Sequence, residues 1–283
     1  MSIRKEVVAR FRELHAGPGS FVIPNPWDIG SARLLAGLGF EALATTSSGF
    51  AWSTGRTDGQ VSRDEVLDHC RSIAAATPLP VNADLEKCFA DDPAGVADTI
   101  ALVSATGVAG ASVEDFSGDR SRPIYDFDHA VARVKAAVAA AHAFEDPILI
   151  CARTENYLHG RRDLADTIAR LKAFADVGAD VLYAPGLAGM EEIKALVAAV
   201  DRPVNVLVSS FNADLTVDQL TAAGVRRISV GGALARAAMG GLLSGAREIM
   251  QRGTFGYGRT VPAGTDLDAA MSAVAGTASA KRN

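Results

Sequence analysis

Two short apolar segments of this sequence end in acidic and amide side chains. These side chains are Asn82, Asp84 and Glu86 after residues 79–81, and Glu114 and Asp115 after residues 110–113. Alternate residues of a strand point to the same side, so the first three side chains would point together. Mg²⁺ prefers oxygen ligands and is commonly held by one or two carboxylates. The pattern predicts a divalent metal site, with Asp84 as the strongest ligand candidate and Asp58 and Glu114 acting directly or through water.

A cationic side chain, Arg153, follows a third apolar segment at residues 148–152. Its guanidinium is a planar two-pronged donor for a carboxylate or for the oxygen of an enolate. Across from a cation that acts as a Lewis acid, such a donor suits cleavage of the bond beside the carbonyl group of a 2-oxo acid. A polar turn at residues 45–49 adds backbone N–H donors. The candidate substrate-binding residues are Thr46, Ser47, Ser48, Gly49, Arg153 and Asn205.

Each charged candidate also has a simpler structural explanation. Asp84 could cap a helix from a loop, and the pair Glu114 and Asp115 could form an ordinary strand-end turn. Arg153 could serve only to neutralise Glu155. Because these residues occur at successive strand ends, the purely structural explanation of the whole set is weaker than that of any single member.

The elements that must position these residues alternate regularly between strand and helix. The predicted strands cover residues 21–24, 42–45, 79–83, 110–113, 148–152, 181–183, 204–207 and 228–230. They are short and continuously apolar, as in strands covered on both faces. Eight strand–helix units in one chain favour a single-domain (β/α)₈ TIM barrel, whose active site lies at the carboxyl ends of the strands. The alternative, an open doubly wound sheet, lacks its glycine fingerprint after the first strand.

The connections and the chain ends complete this prediction. A long polar connection is predicted over residues 46–61, and helices from Ser62 and Thr216 begin with capping-box patterns. The barrel domain is predicted over residues 1–255. Residues 256–283 form a C-terminal helical extension, with a weak helical pattern at 267–274, which either packs on a partner subunit or frays.

Composition excludes several classes of protein. The 283 residues are 48% hydrophobic and 22% charged, with a net charge of −5. No basic stripe points to nucleic acid, because Arg161-Arg162 and Arg226-Arg227 are isolated pairs interpreted as solvated helix ends. No segment reaches the roughly 18 apolar residues of a membrane helix, and the N-terminus lacks a secretory pattern. Three widely spaced cysteines without a C-x-x-C pair favour a cytoplasmic protein.

The ordered set of these motifs resembles the isocitrate lyase/phosphoenolpyruvate mutase superfamily. The segments that carry the resemblance are residues 44–59, 81–86, 110–115, 152–155, 178–185 and 224–234. The resemblance implies a barrel that depends on Mg²⁺ or Mn²⁺ and breaks or rearranges C–C or P–C bonds of 2-oxo or 2-hydroxy acids. It implies metal contacts at Asp58, Asp84 and Glu114, and a homotetramer in which paired subunits exchange the last helix. The implied substrate contacts are Ser47, Ser48, Gly49, Arg153 and Asn205.

The sequence departs from that family at two places that bear on the reaction. Asn82 stands where family members often carry a first aspartate, and this neutral amide either weakens the metal site or shifts metal binding toward Glu86. The loop at 116–125 contains neither the cysteine of the isocitrate-cleaving lyases nor the Lys and Asn of the phosphonopyruvate mutases. In the neighbouring loop Cys88 is a candidate acid/base, with an inert thiol as the alternative. His159 lies near the same rim.

These observations lead to one function and two alternatives. The leading hypothesis is a Mg²⁺-dependent lyase or decarboxylase that acts on a small 2-oxo or 2-hydroxy carboxylate through a metal-bound enolate. Its candidate catalytic residues are Arg153, Asp58, Glu114 and Cys88, and its candidate metal ligands are Asp84, Asp58, Glu114, Asn82 and Glu86. The alternatives are a P–C bond mutase or hydrolase, and an inactive barrel that binds a 2-oxo acid.

Overall fold

The computed structural model describes the backbone of residues 3–280 and the side chains of residues 4–272. Eight parallel strands form one sheet in the order β1-β8-β7-β6-β5-β4-β3-β2. The strands are β1 Phe21–Ile23, β2 Leu43–Ala44, β3 Val81–Asp84, β4 Gly110–Glu114, β5 Leu149–Arg153, β6 Val181–Tyr183, β7 Val204–Leu207 and β8 Arg227–Ser229. A hydrogen bond of 3.0 Å from Ala44 N to Pro24 O brings the two ends of this order together. The predicted (β/α)₈ barrel is confirmed.

Eleven α-helices are present in residues 3–280. They are α1 Ile3–Ala16, α2 Ile29–Gly37, α3 Ser47–Ser53, α4 Arg63–Ala76, α5 Pro93–Ser104, α6 Phe127–His142, α7 Leu164–Asp176, α8 Met190–Ala199, α9 Val217–Ala222, α10 Ala233–Arg252 and α11 Gly264–Ala280. The capping boxes predicted at Ser62 and Thr216 are formed. These side chains satisfy backbone N–H groups that the first helical turn leaves unpaired.

The connection predicted as polar loop over residues 46–61 contains a helix, α3. Thr46 caps it, because its Oγ1 accepts a hydrogen bond of 3.3 Å from Gly49 N. Serine and glycine have low helix propensity, so the local pattern did not indicate a helix. Close packing holds it instead, since a Cβ atom on Gly49 would lie only 3.1 Å from Trp27 Cβ and 3.2 Å from Ala235 Cβ.

Helix α1 covers the amino-terminal end of the barrel. Its Arg12 donates a hydrogen bond of 2.7 Å to Pro147 O and lies 3.4 Å from Asp180 Oδ1, and both partners precede strands. The fully buried Phe11 belongs to an apolar cluster that α1 shares with strand residues. The cluster comprises Val8, Phe11, Phe21, Ile23, Ala42, Ala44, Ala109 and Leu149. Helix α1 therefore seals the end of the barrel opposite the predicted site.

A larger apolar core lies between the strands and the surrounding helices. It includes Cys70 and Cys88, both fully buried, whereas the buried Cys151 belongs to a cluster with Val181 and Tyr183. All three thiols are free. Burial raises the pKa of Cys70 and of Cys88 to about 12, so both thiols are neutral at physiological pH.

The carboxyl-terminal part departs from the compact barrel. Helix α10 exposes Leu242, Leu243 and Met250, while Phe255 beyond it is 69% exposed. After a 3₁₀ turn at Gly256–Arg259, α11 lies against α2, where Met271 Cε approaches the position of a Cβ on Gly30 to 3.5 Å. The extension is more helical than the sequence indicated. In the described part of the chain, no helix has the length and apolar character needed to cross a membrane.

Candidate active site

Asp84, the last residue of β3, lies at the centre of the carboxyl-terminal mouth of the barrel. Its Oδ2 accepts a hydrogen bond of 3.0 Å from Ser47 N at the start of α3. Its Oδ1 lies 3.3 Å from Ser112 Oγ on β4, and its backbone N–H donates to Thr45 Oγ1 at 2.8 Å. Ser47 and Ser112 thus orient the carboxylate, and Thr45 holds the backbone that carries it.

Arg153 ends β5 and faces the same space. Its guanidinium lies 3.6 Å from Asp84 Oδ1 and 3.3 Å from Glu114 Oε2, and its Nε also donates a hydrogen bond to Glu155. Burial alone would lower the pKa of Arg153, but the charges of Glu155 and Glu114 raise it well above the ordinary value. The structure therefore brings Asp84, Glu114 and Arg153 together, as the sequence predicted.

The adjacent acids Glu114 and Asp115 have different roles because they point in opposite directions. Glu114 faces the barrel interior, where burial raises its pKa well above the ordinary value. Asp115 accepts hydrogen bonds from Glu155 N at 2.8 Å and from Thr154 Oγ1 at 3.0 Å, and pairs with Arg170 at 3.1 Å. Asp115 consequently holds the loop after β5, which positions Arg153 and Glu155.

Two further acids, Asp58 and Glu86, lie beside Asp84. Burial and then the charges of Asp84 and Asp58 raise the pKa of Glu86 to about 7. Burial, followed by the charge of Asp84, raises the pKa of Asp58, although a hydrogen bond with the Ser47 side chain partly offsets this. Negative charge is therefore concentrated beyond what nearby cations neutralise.

This donor set fits a hard divalent cation. Mg²⁺ takes oxygen ligands, retains several waters and is usually bound by one or two carboxylates. Asp58, Asp84 and Glu86 supply such oxygens, and a cation would relieve the repulsion that, in addition to burial, raises the pKa values of Asp58 and Glu86. Within the described side chains, no three His, Cys, Asp or Glu residues form a ready-made ligand set. Water molecules would have to complete the coordination.

The loop that carries Glu86 has an unusual backbone. Glu86, Cys88 and Phe89 have φ values of 51°, 59° and 56°, in the left-handed region that non-glycine residues rarely adopt. The buried guanidinium of Arg133 donates hydrogen bonds to four carbonyl groups, three in this loop and one at the end of β4. They belong to Lys87, Ala90, Asp91 and Glu114. Arg133 thus fixes the conformation that places Glu86 near Asp84.

The structure does not support Cys88 as a catalytic acid/base. Its side chain is fully buried in the apolar core rather than exposed at the mouth of the barrel, and burial raises its pKa. His159 does lie near the mouth. Its Nε2 is 3.5 Å from Glu155 Oε2, and its ring stacks on Phe116 with a centroid distance of 4.0 Å. It therefore contacts Glu155, a neighbour of Arg153.

The predicted substrate-binding turn is largely engaged with the protein itself. Thr46 caps α3, and its Oγ1 lies 3.2 Å from Ser48 Oγ. The N–H groups of Ser47 and Gly49 bond to Asp84 and Thr46 respectively. Asn205 donates to Ser229 Oγ at 3.0 Å. The turn borders the site, and its evident role there is to orient Asp84.

Asn82 lies on the same side of β3 as Asp84 but one step deeper in the barrel. Its Oδ1 is 3.4 Å from Arg227 Nη1 on β8. The interpretation of Arg226-Arg227 as solvated helix ends is wrong for Arg227, which is buried in a strand. The pattern missed it because a pair of arginines just before a short apolar strand suggests a solvated position rather than a buried one. Ser112 was missed too, although its parity with Glu114 on β4 indicated that it faces inward.

With this geometry in place, comparison with known proteins identifies the family. Residues 11–250 match the model of the phosphoenolpyruvate phosphomutase family, and the chain belongs to it. An uncharacterized protein of Mycobacterium tuberculosis (strain H37Rv) is 32% identical over 78% of this chain and 81% of its own length. Oxaloacetate decarboxylase of Marinomonas sp. (strain MWYL1) is 29% identical over 78% of this chain and 77% of that protein.

Solved structures agree with this assignment. A Burkholderia cenocepacia J2315 protein, described provisionally as a lyase/mutase, shares 52% identity and a TM-score of 0.92 over 94% of this chain and 95% of that chain. Oxaloacetate acetylhydrolase with its product oxalate shares 26% identity and a TM-score of 0.85, over 94% of each chain. The predicted relation to the isocitrate lyase/phosphoenolpyruvate mutase superfamily is confirmed, and with it a lyase- or mutase-type enzyme.

Proposed function

We propose that this chain cleaves a C–C bond of a small 2-oxo or 2-hydroxy carboxylate, with Mg²⁺ or Mn²⁺ as cofactor. The observation that carries the proposal is the group of carboxylates around Arg153 at the mouth of the barrel. Relatives named for oxaloacetate support the substrate class, because one decarboxylates that acid and another releases oxalate from it.

The residues of the chain have separate tasks in this reaction. Arg153 binds the substrate oxygen on which negative charge develops as the bond breaks, and its rigid fork favours the planar enolate. Glu155 and Glu114 both contact the guanidinium Nε and hold it in place. Tyr183, with its ring 5.0 Å below the guanidinium carbon, forms an apolar wall that excludes water from it.

The cation would be held by Asp84, with Asp58 and Glu86 as further oxygen ligands, and it would supply Lewis-acid stabilisation of negative charge. The site residues suit this task for a second reason. Asp84 is already oriented by Ser47 and Ser112, so binding of a cation does not require its carboxylate to be reoriented. Glu114, bonded to Arg153, is placed to act through water.

Replacement of Asp84 by Ala tests the proposal. Turnover of oxaloacetate, 2-methylisocitrate and 2,3-dimethylmalate would be measured with Mg²⁺, and with Asp68→Ala, an exposed acid on α4, as the control. We expect the Asp84 variant to lose at least 100-fold in kcat/KM and the control to keep its activity. Equal rates in the Asp84 variant and wild type would overturn the proposal.

The alternative reactions are separated in the same preparation. Turnover of phosphonopyruvate, followed by phosphorus NMR, would assign P–C chemistry instead. Thermal stabilisation by oxalate without turnover of any acid would identify an inactive binding barrel.

We also propose that the chain forms a homotetramer in which the carboxyl-terminal helical region of one subunit packs on its partner. The exposure of Leu242, Leu243, Met250 and Phe255 supports this proposal. Apolar side chains grouped on one segment favour burial against another protein surface.

A further inference from the structure

The floor of the barrel mouth contains a second guanidinium, that of Arg227, which the proposed reaction does not use. Arg227 begins β8, is only 4% exposed, and lines a small cavity of about 50 Å³ together with Asp84, Arg153 and Tyr183. Such a volume holds a few water molecules. The side chain therefore faces the same space as the candidate catalytic residues, but from below.

The partners of Arg227 are uncharged. Its Nε donates to Asn205 Oδ1 at 2.9 Å, Nη1 lies 3.4 Å from Asn82 Oδ1, and Nη2 lies 2.8 Å from Cys151 Sγ. Burial raises the pKa of the Cys151 thiol, so the thiol does not neutralise the arginine. Among the described side chains, no carboxylate forms an ion pair with Arg227.

The two arginines of the mouth are therefore electrostatically unequal. Arg153 has three carboxylates within 4 Å, from Asp84, Glu114 and Glu155. Arg227, by contrast, is buried, and among the described side chains no carboxylate lies within 4 Å of it. Burying an unpaired charge is costly, and arginine cannot avoid the cost by losing its proton. A carboxylate that enters the cavity would therefore be attracted more strongly to Arg227, which has no ion-pair partner, than to Arg153, which already has three.

The lower side of Arg227 offers no neutralisation either. His15 of α1 lies close enough for the charge of Arg227 to affect it. Burial, and then that charge, lower the pKa of His15 to about 3, so its ring is neutral. His15 on the α1 side therefore does not balance the charge of Arg227.

We propose that Arg227 binds a carboxylate group of the small acid substrate at the floor of the barrel. The inference rests on the proposed function and adds a specificity residue to it. Three hydrogen bonds hold the guanidinium, and a planar carboxylate is the ligand that its fork accepts best. Arg227 would then anchor one end of the acid, while Arg153 faces the oxygen of the breaking bond.

The position of Asn82 follows from this assignment. A neutral amide at residue 82 supports Arg227 without neutralising it, whereas an aspartate there would form an ion pair with the guanidinium. The distance of 3.4 Å between Asn82 Oδ1 and Arg227 Nη1 also disfavours a divalent cation on that oxygen, since two positive charges would be adjacent. Asn82 therefore serves the anion rather than the metal.

The test is the binding of oxalate to the chain in EDTA, measured by titration calorimetry at fixed ionic strength. We expect Arg227→Met to raise the Kd at least tenfold. The isosteric change Asn82→Asp should also raise it at least tenfold, because the new carboxylate neutralises Arg227. The matched control is Arg226→Met, which removes the neighbouring arginine that bonds to Gly19 on the outside of the barrel. It should leave the Kd within twofold.

Two results would overturn the assignment. One is a metal-free wild type that does not bind oxalate, and the other is an Arg227→Met variant that binds it like the control. If the Arg227→Met variant does not fold, the Asn82→Asp variant decides the test by itself. Metal-free oxalate binding by that variant that is unchanged or tighter contradicts the assignment. Because a buried charge without an ion-pair partner is costly, Asn82→Asp should also have a higher Tm than wild type without oxalate. Turnover assays distinguish failure of the proposed function from failure of the Arg227 assignment. A chain that does not catalyse the proposed reaction can still bind oxalate without metal.

Discussion

Glu86 and its neighbours show how a few ångströms of placement change the chemistry of ordinary side chains. Glu86 and Asp84 are half-buried beside the exposed Asp58, and the partial burial of Glu86 together with the charges of Asp84 and Asp58 raises its pKa to about 7. Glu65 is an exposed contrast, because its hydrogen bonds to Arg56 and Ser62 lower its pKa to about 2. The environment thus shifts the pKa of the same functional group upward at Glu86 and downward at Glu65.

The raised pKa of Glu86 predicts a pH-dependent stability without metal. The folded chain retains this proton to higher pH than the unfolded chain, whose carboxyl titrates near 4.5. Its contribution to the free energy of unfolding is complete below about pH 4.5 and is lost as pH rises through about 7. We expect Glu86→Gln to remove this loss and to be about 2 kcal/mol more stable than wild type at pH 8, after allowance for solvent screening.

Urea unfolding in EDTA at pH 5 and pH 8 measures the effect of Glu86. Glu65→Gln is a carboxylate control, with its partners on the outer surface. Saturating Mg²⁺ should reduce the difference between Glu86→Gln and wild type at pH 8, because the cation neutralises the carboxylates. A stability difference independent of pH would contradict the raised pKa.

We predict that Arg153→Lys lowers the rate of catalysis although it keeps the positive charge. A lysine ammonium lacks the planar fork that contacts Glu114 and Glu155 while it faces the substrate. We expect kcat for the cleaved acid to fall about 100-fold, with a smaller change in KM, since the lost interaction is with developing charge. Steady-state kinetics checks this split, with Arg161→Lys in the following loop as the control. A variant within threefold of wild-type kcat would exclude the proposed role.

At the scale of elements, the side chains at the strand ends could be predicted from the sequence. The alternation of side chains along a strand is a property of the backbone and does not depend on distant contacts. Asp84, Glu114 and Arg153 follow apolar runs, and parallel strands deliver such residues to one end. Helix α3 was not predictable, because contacts of Gly49 with distant residues, rather than propensity, hold it. The role of Arg227 was hidden for a similar reason: its partners lie on other strands, distant in the sequence.

The stability of the loop after β3 is expected to depend strongly on one buried side chain, that of Arg133. Arg133→Lys would leave carbonyl groups of this loop without donors, because one ammonium cannot reach the three loop carbonyl groups and that of Glu114 together. We expect a loss of about 3 kcal/mol in the free energy of unfolding, measured with urea. Activity should fall further than stability alone explains, since Glu86 loses its position. Arg71→Lys, at an exposed position of α4, is the control. An equal loss of stability and activity in that variant would contradict the role assigned to Arg133.

For the whole molecule, the exposed apolar face of α10 predicts an assembly. A double change, Leu242→Glu with Met250→Glu, should convert the proposed tetramer into smaller species, because two charges would be buried in the interface. Sedimentation velocity measures the mass. Leu102→Glu on α5, a partly exposed leucine on the barrel surface, is the control and should leave the mass unchanged. A wild-type monomer at micromolar concentration would contradict the proposed assembly.

Helix α1 closes the amino-terminal end of the barrel. Its Phe11 is fully buried among strand residues, and its Arg12 is bonded to Pro147 and Asp180. Substrate and products must then pass through the same opening, the carboxyl-terminal mouth of the barrel. Each departing fragment blocks the next arrival until it clears, so the product that leaves last should inhibit competitively against the starting acid.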